Sequence, residues 1–319
     1  MSKIFRSPLA KELERFVAHR RMLGHSYHRA VATLKSFDRY VSTHSDSKRA
    51  VPMASLLRGY LSRRSGRKPV SVAMELGTLR QFFRYRRRFD PDGFIPGREW
   101  APQQAQSDFV PHVFSLSQIR ALLAEAKRLR CDRQARPAIR VLILILYCTG
   151  LRFGEAPRLE MRDVDLDSLV FCVRESKGKT RWVPFRADLA RELRNYRIQL
   201  GDLASAEPRA PFLVRPDGKA FTVKGASGIV RGMLRRLKFK PPRGRFGPRP
   251  YDLRHTFAVH RLECWHRAGV DVHARFPLLS AYLGHDDIMG TEAYLHATPE
   301  LMGLASRRLH AQLRGEERS

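Results

Sequence analysis

The chain has 319 residues, room for one large domain or two ordinary ones, and 43% of it is apolar, enough to bury a core. The 60 Lys and Arg against 31 Asp and Glu leave a formal net charge of +29; a chain so basic concentrates polyanions around it, which puts nucleic acid first among partners, with scaffold-like RNA binding as the plain alternative. The longest apolar run, VLILILYC at 141–148, falls far short of the roughly 20 residues that span a bilayer, the N-terminus lacks a signal-peptide core, and no cysteine lies in a CxxC pair, which argues against a membrane protein, a secreted one, a zinc site or a disulfide frame. The expected setting is the cytoplasm, in association with a bacterial-type nucleoid. Cys131, Cys148, Cys172 and Cys264 are expected to be buried apolar side chains.

Residues 8–44 read as a helix pair broken at Gly24. Leu9, Leu13, Phe16, Val17 and Leu23 fall near helical spacing before the break, and Ala30, Leu34, Phe37 and Val41 after it. MASLLRGYLSRRS (53–65) and SVAMELGTLRQFFRYRRRF (71–89) add two more helices. The first hundred residues are thus a small all-helical unit with 22 basic and 8 acidic residues. Its run RQFFRYRRRF mixes five arginines with aromatic rings instead of balancing acids, as a DNA-facing surface does, although solvated helix faces are the simpler reading. Residues 90–112, with four prolines and two glycines, have the composition of a linker. A helix restarts at Ser115, where Ser115 and Gln118 have the spacing of a capping box. ARPAIRVLILILYCTG (135–150) is apolar nearly all round, a buried core helix stopped by Gly150. SLVFCVRES and RWVPF read as two strands joined by the turn KGKT. Helices fill most of the rest, near 187–200, 223–238, 252–268, 275–283, 290–296 and 299–313.

Four stretches carry chemistry. In TGLRFGE (149–155), Arg152 sits just past the end of the core helix, its fork projecting freely. That suits bidentate phosphate binding as well as it suits an ordinary surface arginine. Lys177 and Lys179 flank Gly178 at the hairpin turn, where a lysine is solvated or else reaches into a cleft to hand a proton to an alkoxide. In RPYDLRHTFAVH (249–260), Asp252 is an N-cap or first-turn acid, and Arg254 lies in the first helical turn, where peptide N–H groups attract anions. Tyr251 stands three residues before that arginine. LLSAYLGHDDIMGTEAYLHAT (278–298) holds Tyr282, His285, Tyr294 and His296, which pack in a core or meet at one phosphate.

Taken in order, TGLRxGE, KGK on a hairpin, LRHTFA, and LGH with a tyrosine nine residues on resemble the tyrosine recombinases, the phage-integrase-like site-specific recombinases, over about residues 113–313. The resemblance implies a mainly α fold: an all-helical, SAM-like core-binding domain (1–100), a linker (101–112), and an α+β catalytic domain of the DNA breaking-rejoining type with a small antiparallel sheet and a C-terminal helix (113–319). It implies Arg152 and Arg254 as the phosphate-binding pair and Lys177 as general acid, with Lys179 a near rival. It implies His285 as a hydrogen-bond donor to the phosphate, Tyr294 as nucleophile, and Glu155 as a buttress of the active-site arginine. One position departs: Tyr251 stands where the family carries histidine, and is expected to be a secondary phosphate contact. The reaction implied is transesterification through a 3′-phosphotyrosine, with no metal, ATP or cofactor, in integration, excision or transposition of a mobile element. The partners implied are double-stranded DNA and further copies of the chain, two at a site and four in the synapse, alone or with related recombinases. The segment from Thr298 to Ser319 reads as an amphipathic helix with a polar tail that docks on a neighbouring protomer or folds back on its own domain. A type IB topoisomerase, which shares the chemistry, and a catalytically silent DNA-binding relative are the alternatives.

Overall fold

The computed structural model describes residues 4–24, 27–44, 51–63, 66–103, 111–129, 135–176, 179–203, 205–244, 246–285 and 303. They divide into two units, Met1–Asp108 and Phe109–Ser319.

In the first unit, α1 (Ala10–Met22), α2 (His28–His44), α3 (Met53–Ser62) and α4 (Pro69–Arg86) share one core. Each contributes an apolar stripe at three- and four-residue spacing: Leu13, Phe16 and Val17; Leu34, Phe37 and Val41; Leu57 and Tyr60; Leu76, Leu79 and Phe83. Asp38 is buried with them because its carboxylate accepts the backbone N–H groups of Arg6 (2.7 Å) and Ser7 (2.9 Å), pinning the segment before α1. Two expectations need correcting. Leu23 is exposed, because it is the C-cap of α1 and lies past the turn that faces the core. In RQFFRYRRRF the rings do not stand beside the arginines on the surface: Phe82 and Phe83 are core side chains, and Phe89 is the exposed one. Nor does the run lack an acid, since Arg86 pairs with Glu12 of α1 (2.5 Å).

The second unit is mostly helical with a small antiparallel sheet. α5 (Leu116–Lys127) begins on the capping box: Ser115 Oγ accepts the Gln118 N–H (3.2 Å), and Gln118 Oε1 accepts the Ser115 N–H (3.0 Å). α6 (Ala135–Thr149) buries Ile139, Leu142, Ile143, Ile145 and Leu146. α5, α7 (Ala187–Leu200) and α9 (Asp252–Arg267) pack against it. Cys172 is buried, but Cys148 and Cys264 are exposed, against expectation. Cys148 lies where α6 turns from the core toward a cavity it lines with Arg261 and Trp265. Cys131 lies outside the described residues.

β2 (Val170–Ser176) and β3 (Lys179–Pro184) are the expected hairpin. β1 (Val164–Asp165), too short to show alternation in the sequence, adds to β2 and gives the order β1-β2-β3. Cys172 faces Trp182 and Val173 faces Arg181, and the ladder is irregular between Val173 and Ser176. On β3, Arg181 and Val183 point inward while Thr180 and Trp182 point to solvent. α8 (Val223–Arg236) is capped by Thr222, whose Oγ1 accepts the Gly225 N–H (3.0 Å). α10 (Val272–Leu283) starts earlier than its apolar spacing suggests, because Asp271 caps it through the Ala274 N–H (3.2 Å). The helices expected over 290–296 and 299–313 lie outside the described residues. Among those described, no helix is long and apolar enough to cross a membrane.

Candidate active site

The site forms where the C-terminal ends of α6 and α10 converge. α6 stops at Gly150, whose φ of +62° suits glycine. A Cβ there would also lie 2.4 Å from the Phe257 ring and 2.9 Å from Leu283, so packing and backbone both demand glycine. α10 ends in a Schellman turn: the Gly284 N–H donates to Ala281 O (2.9 Å) and the His285 N–H to Ser280 O (3.1 Å), with Gly284 at φ +69°. That turn fixes the backbone at His285, whose side chain is half-buried.

Two helix ends leave carbonyls aimed at one place, and such carbonyls favour cations. Arginines supply them. Arg254, on the first turn of α9, donates from Nη1 to Gly150 O (2.8 Å) and from Nη2 to Leu283 O (2.7 Å), and is 1% exposed. Arg152 donates from Nη2 to Gly284 O. Its fork therefore does not project freely, as the sequence suggests. Its Nη1 also binds Glu155 Oε1 (2.9 Å), because the turn after α6 brings Glu155 back under it.

Glu155 is buried and accepts four hydrogen bonds from Arg152 and Arg181. Oε1 takes Arg152 Nη1 and Arg181 Nη1 (3.0 Å); Oε2 takes the Arg152 backbone N–H (2.8 Å) and Arg181 Nη2 (2.7 Å). A carboxylate has about four lone-pair positions, and here each has a donor. Arg181 is the residue that reading the sequence misses. Its signal was present: it stands two positions before the buried Val183, so strand alternation turns it inward. With Arg152, Arg181 and Arg254 set against the carboxylate of Glu155 among the described residues, the platform keeps a positive excess suited to an oxyanion.

The remaining expected residues fall around this platform. Tyr251 is the N-cap of α9, 40% exposed, with its ring edge-on to His255 (centroids 5.3 Å apart). Asp252 is the first-turn acid and not the cap; it is buried and accepts the Arg249 N–H (2.8 Å) and the Arg249 Nη2 (2.9 Å). Burial pushes the His255 imidazole down to about 4. The loop before Tyr251 is organised by Lys240, a buried lysine absent from the sequence reading, whose Nζ donates to the carbonyls of Phe246 and Gly247. Tyr282 commits its hydroxyl to Pro184 O (2.9 Å), and burial raises its pKa, so it serves the packing. Lys179 opens β3 and is exposed. Lys177, Tyr294 and His296 lie outside the described residues, so the structure brings together Arg152, Arg254 and His285, with Tyr251 on the same helix as Arg254.

A buried carboxylate bracing arginines at two helix ends defines a site for an anionic ester or its transition state. Residues 112–300 match the phage integrase family. A putative integrase/recombinase, y4rB of Sinorhizobium fredii, is 31% identical over 326 residues, covering 98% of this chain and 100% of its own. The tyrosine recombinase XerD of Listeria innocua is 29% identical, covering 83% and 88%. The XerH site-specific recombinase, solved bound to a palindromic difH substrate after cleavage, shares the fold at 18% identity with a TM-score of 0.66, covering 87% of this chain and 78% of its own. The chain belongs to the phage integrase family of tyrosine recombinases, enzymes that cut and rejoin DNA strands.

Proposed function

We propose that this chain is a site-specific recombinase acting on duplex DNA through a 3′-phosphotyrosine. The observation that carries the reading is the pair Arg152 and Arg254, held at the converging ends of α6 and α10 beside His285. In the reaction the Tyr294 oxygen attacks the scissile phosphorus as its phenolic proton passes to water, the P–O5′ bond breaks, and Lys177 protonates the departing 5′-oxygen. The ester keeps the bond energy, so a second 5′-hydroxyl can attack it and rejoin the strands. Arg152 and Arg254 balance charge on the non-bridging oxygens, and His285 adds a hydrogen bond. Tyr251, exposed at the entry of α9, is a secondary phosphate contact.

Both halves of the chain carry the charge this requires, with 22 basic against 8 acidic residues over 1–100 and 38 against 23 over the rest. We assign 1–100 to DNA binding, 101–112 to a linker and 113–319 to catalysis. A two-fold site of the kind XerH is seen on takes two copies of a chain, and joining two such sites takes four. The natural setting is the bacterial nucleoid, on a mobile element. The test is trapping: the full chain is mixed with nicked duplexes cut from the DNA flanking its own gene, in chelator and without ATP. A covalent protein–DNA adduct on one of them is expected. Failure of every flanking duplex to give an adduct, while the chain relaxes a plasmid that lacks those sequences, would point to a topoisomerase instead.

A further inference from the structure

We propose that Arg181 is a positioning residue for the leaving-group step, locking the β2–β3 hairpin, and with it the hairpin lysine, to the carboxylate that orients Arg152. The inference rests on Lys177 being the general acid, as read above.

Arg181 lies on β3, two residues after Lys179 and four after Lys177. All three of its guanidinium nitrogens donate into the protein. Nη1 and Nη2 make the fork on Glu155 (3.0 and 2.7 Å), and Nε reaches the Tyr282 carbonyl (3.3 Å). Its side chain is 14% exposed. The residue thus ties three elements together. They are the turn after α6, strand β3 and the end of α10. The α10 end closes tightly on it, since a Cβ on Gly284 would lie 2.9 Å from both Cδ and Nε of Arg181.

The sheet does not do this work unaided. Cross-strand pairing runs regularly from Val170 to Val173, but the register shifts between Val173 and Ser176. Arg181, opposite Val173, is where the regular ladder ends and where β3 is fastened to the arginine platform. A lysine acid beyond that point takes its reference position from Arg181. Lysine at 181 would keep the charge but lose the planar fork, which isolates geometry from electrostatics.

The step itself gives the test. The Tyr294 oxygen–phosphorus bond forms as the phenolic proton passes to water, the P–O5′ bond breaks, and a proton passes from Lys177 to O5′. A displaced hairpin impairs the proton transfer to O5′, whereas a loosened Glu155 and Arg152 would slow both duplexes alike. If sulfur replaces the bridging 5′-oxygen, the leaving group is a thiolate, a weaker base that departs without the proton. The experiment is single-turnover cleavage by the full chain of the flanking-DNA duplex that gives the adduct, made with oxygen or with sulfur at that position. Arg181→Lys should slow cleavage of the oxygen duplex about tenfold or more, within the range general-acid catalysis spans, and run within about threefold of the unaltered chain on the sulfur duplex. Arg181→Gln should show the same pattern and serves if the lysine variant does not fold. Equal slowing on both duplexes would overturn the inference. Lys177→Ala separates the two levels: if sulfur fails to rescue it, the general-acid reading fails; if sulfur rescues it but not Arg181→Lys, the positioning role alone fails.

Discussion

His255 shows how one residue's surroundings set its behaviour. It follows Arg254 on α9, and burial, the largest influence, lowers its imidazole from 6.5 to about 4, with Arg249 and Arg254 adding to the effect and Asp252 opposing it. Between those two values the unfolded chain holds more protons than the folded one. Stability from this residue is therefore full above about pH 6.5 and drains away as pH falls toward 4. His255→Gln should flatten the fall of the unfolding temperature across that window; an unchanged slope would contradict the assignment. So weak a base is a poor proton acceptor to stand in for the histidine missing at 251. Single residues were legible where a helix end announced them. Gly150 before Arg152, Asp252 before Arg254 and Gly284 before His285 each marked a boundary. Glu155, three residues after Arg152, was legible as its buttress through the family resemblance; the carbonyls were not, because Arg254 finds its own 104 residues away and Arg152 finds Gly284 across 132.

At the scale of elements, the site is a junction of helix ends more than a pocket. Arg254 joins the carbonyl of Gly150, just past α6, to that of Leu283, the last residue of α10, through bonds of 2.8 and 2.7 Å, so it is a structural tie. Arg254→Ala leaves buried carbonyls without donors, and since each bond to a charged group is worth ~1.5–3 kcal/mol, a loss of roughly 3 kcal/mol or more is expected in urea unfolding. A variant as stable as the parent would show that the guanidinium is not a structural tie. The same reasoning explains which elements could be read. α6 follows from its nearly unbroken apolar run, the β2–β3 hairpin from two strand-like runs around the turn KGKT, and α5 from its cap. The two-residue β1 is too short for any pattern, and α10 was placed late because its apolar spacing begins after the Asp271 cap. RQFFRYRRRF misled because composition mixes faces that a helix separates, sending Phe82 and Phe83 to the core.

At the scale of the whole molecule, charge sets the behaviour. With a net +29, the chain should bind duplex DNA with an affinity that falls steeply in salt, a log–log slope of about −0.9 for each phosphate neutralised. Titrations across a range of potassium chloride concentrations measure it, and a salt-insensitive affinity would contradict a phosphate-led interface. The central claim is that covalent chemistry belongs to Tyr294 and not to Tyr251, the tyrosine beside the buried arginine. Digesting the trapped protein–DNA adduct and locating the modified peptide decides it. The account predicts the nucleotide on Tyr294, with adduct retained in Tyr251→Phe and abolished in Tyr294→Phe; a nucleotide on Tyr251, or an adduct that survives Tyr294→Phe, would contradict it.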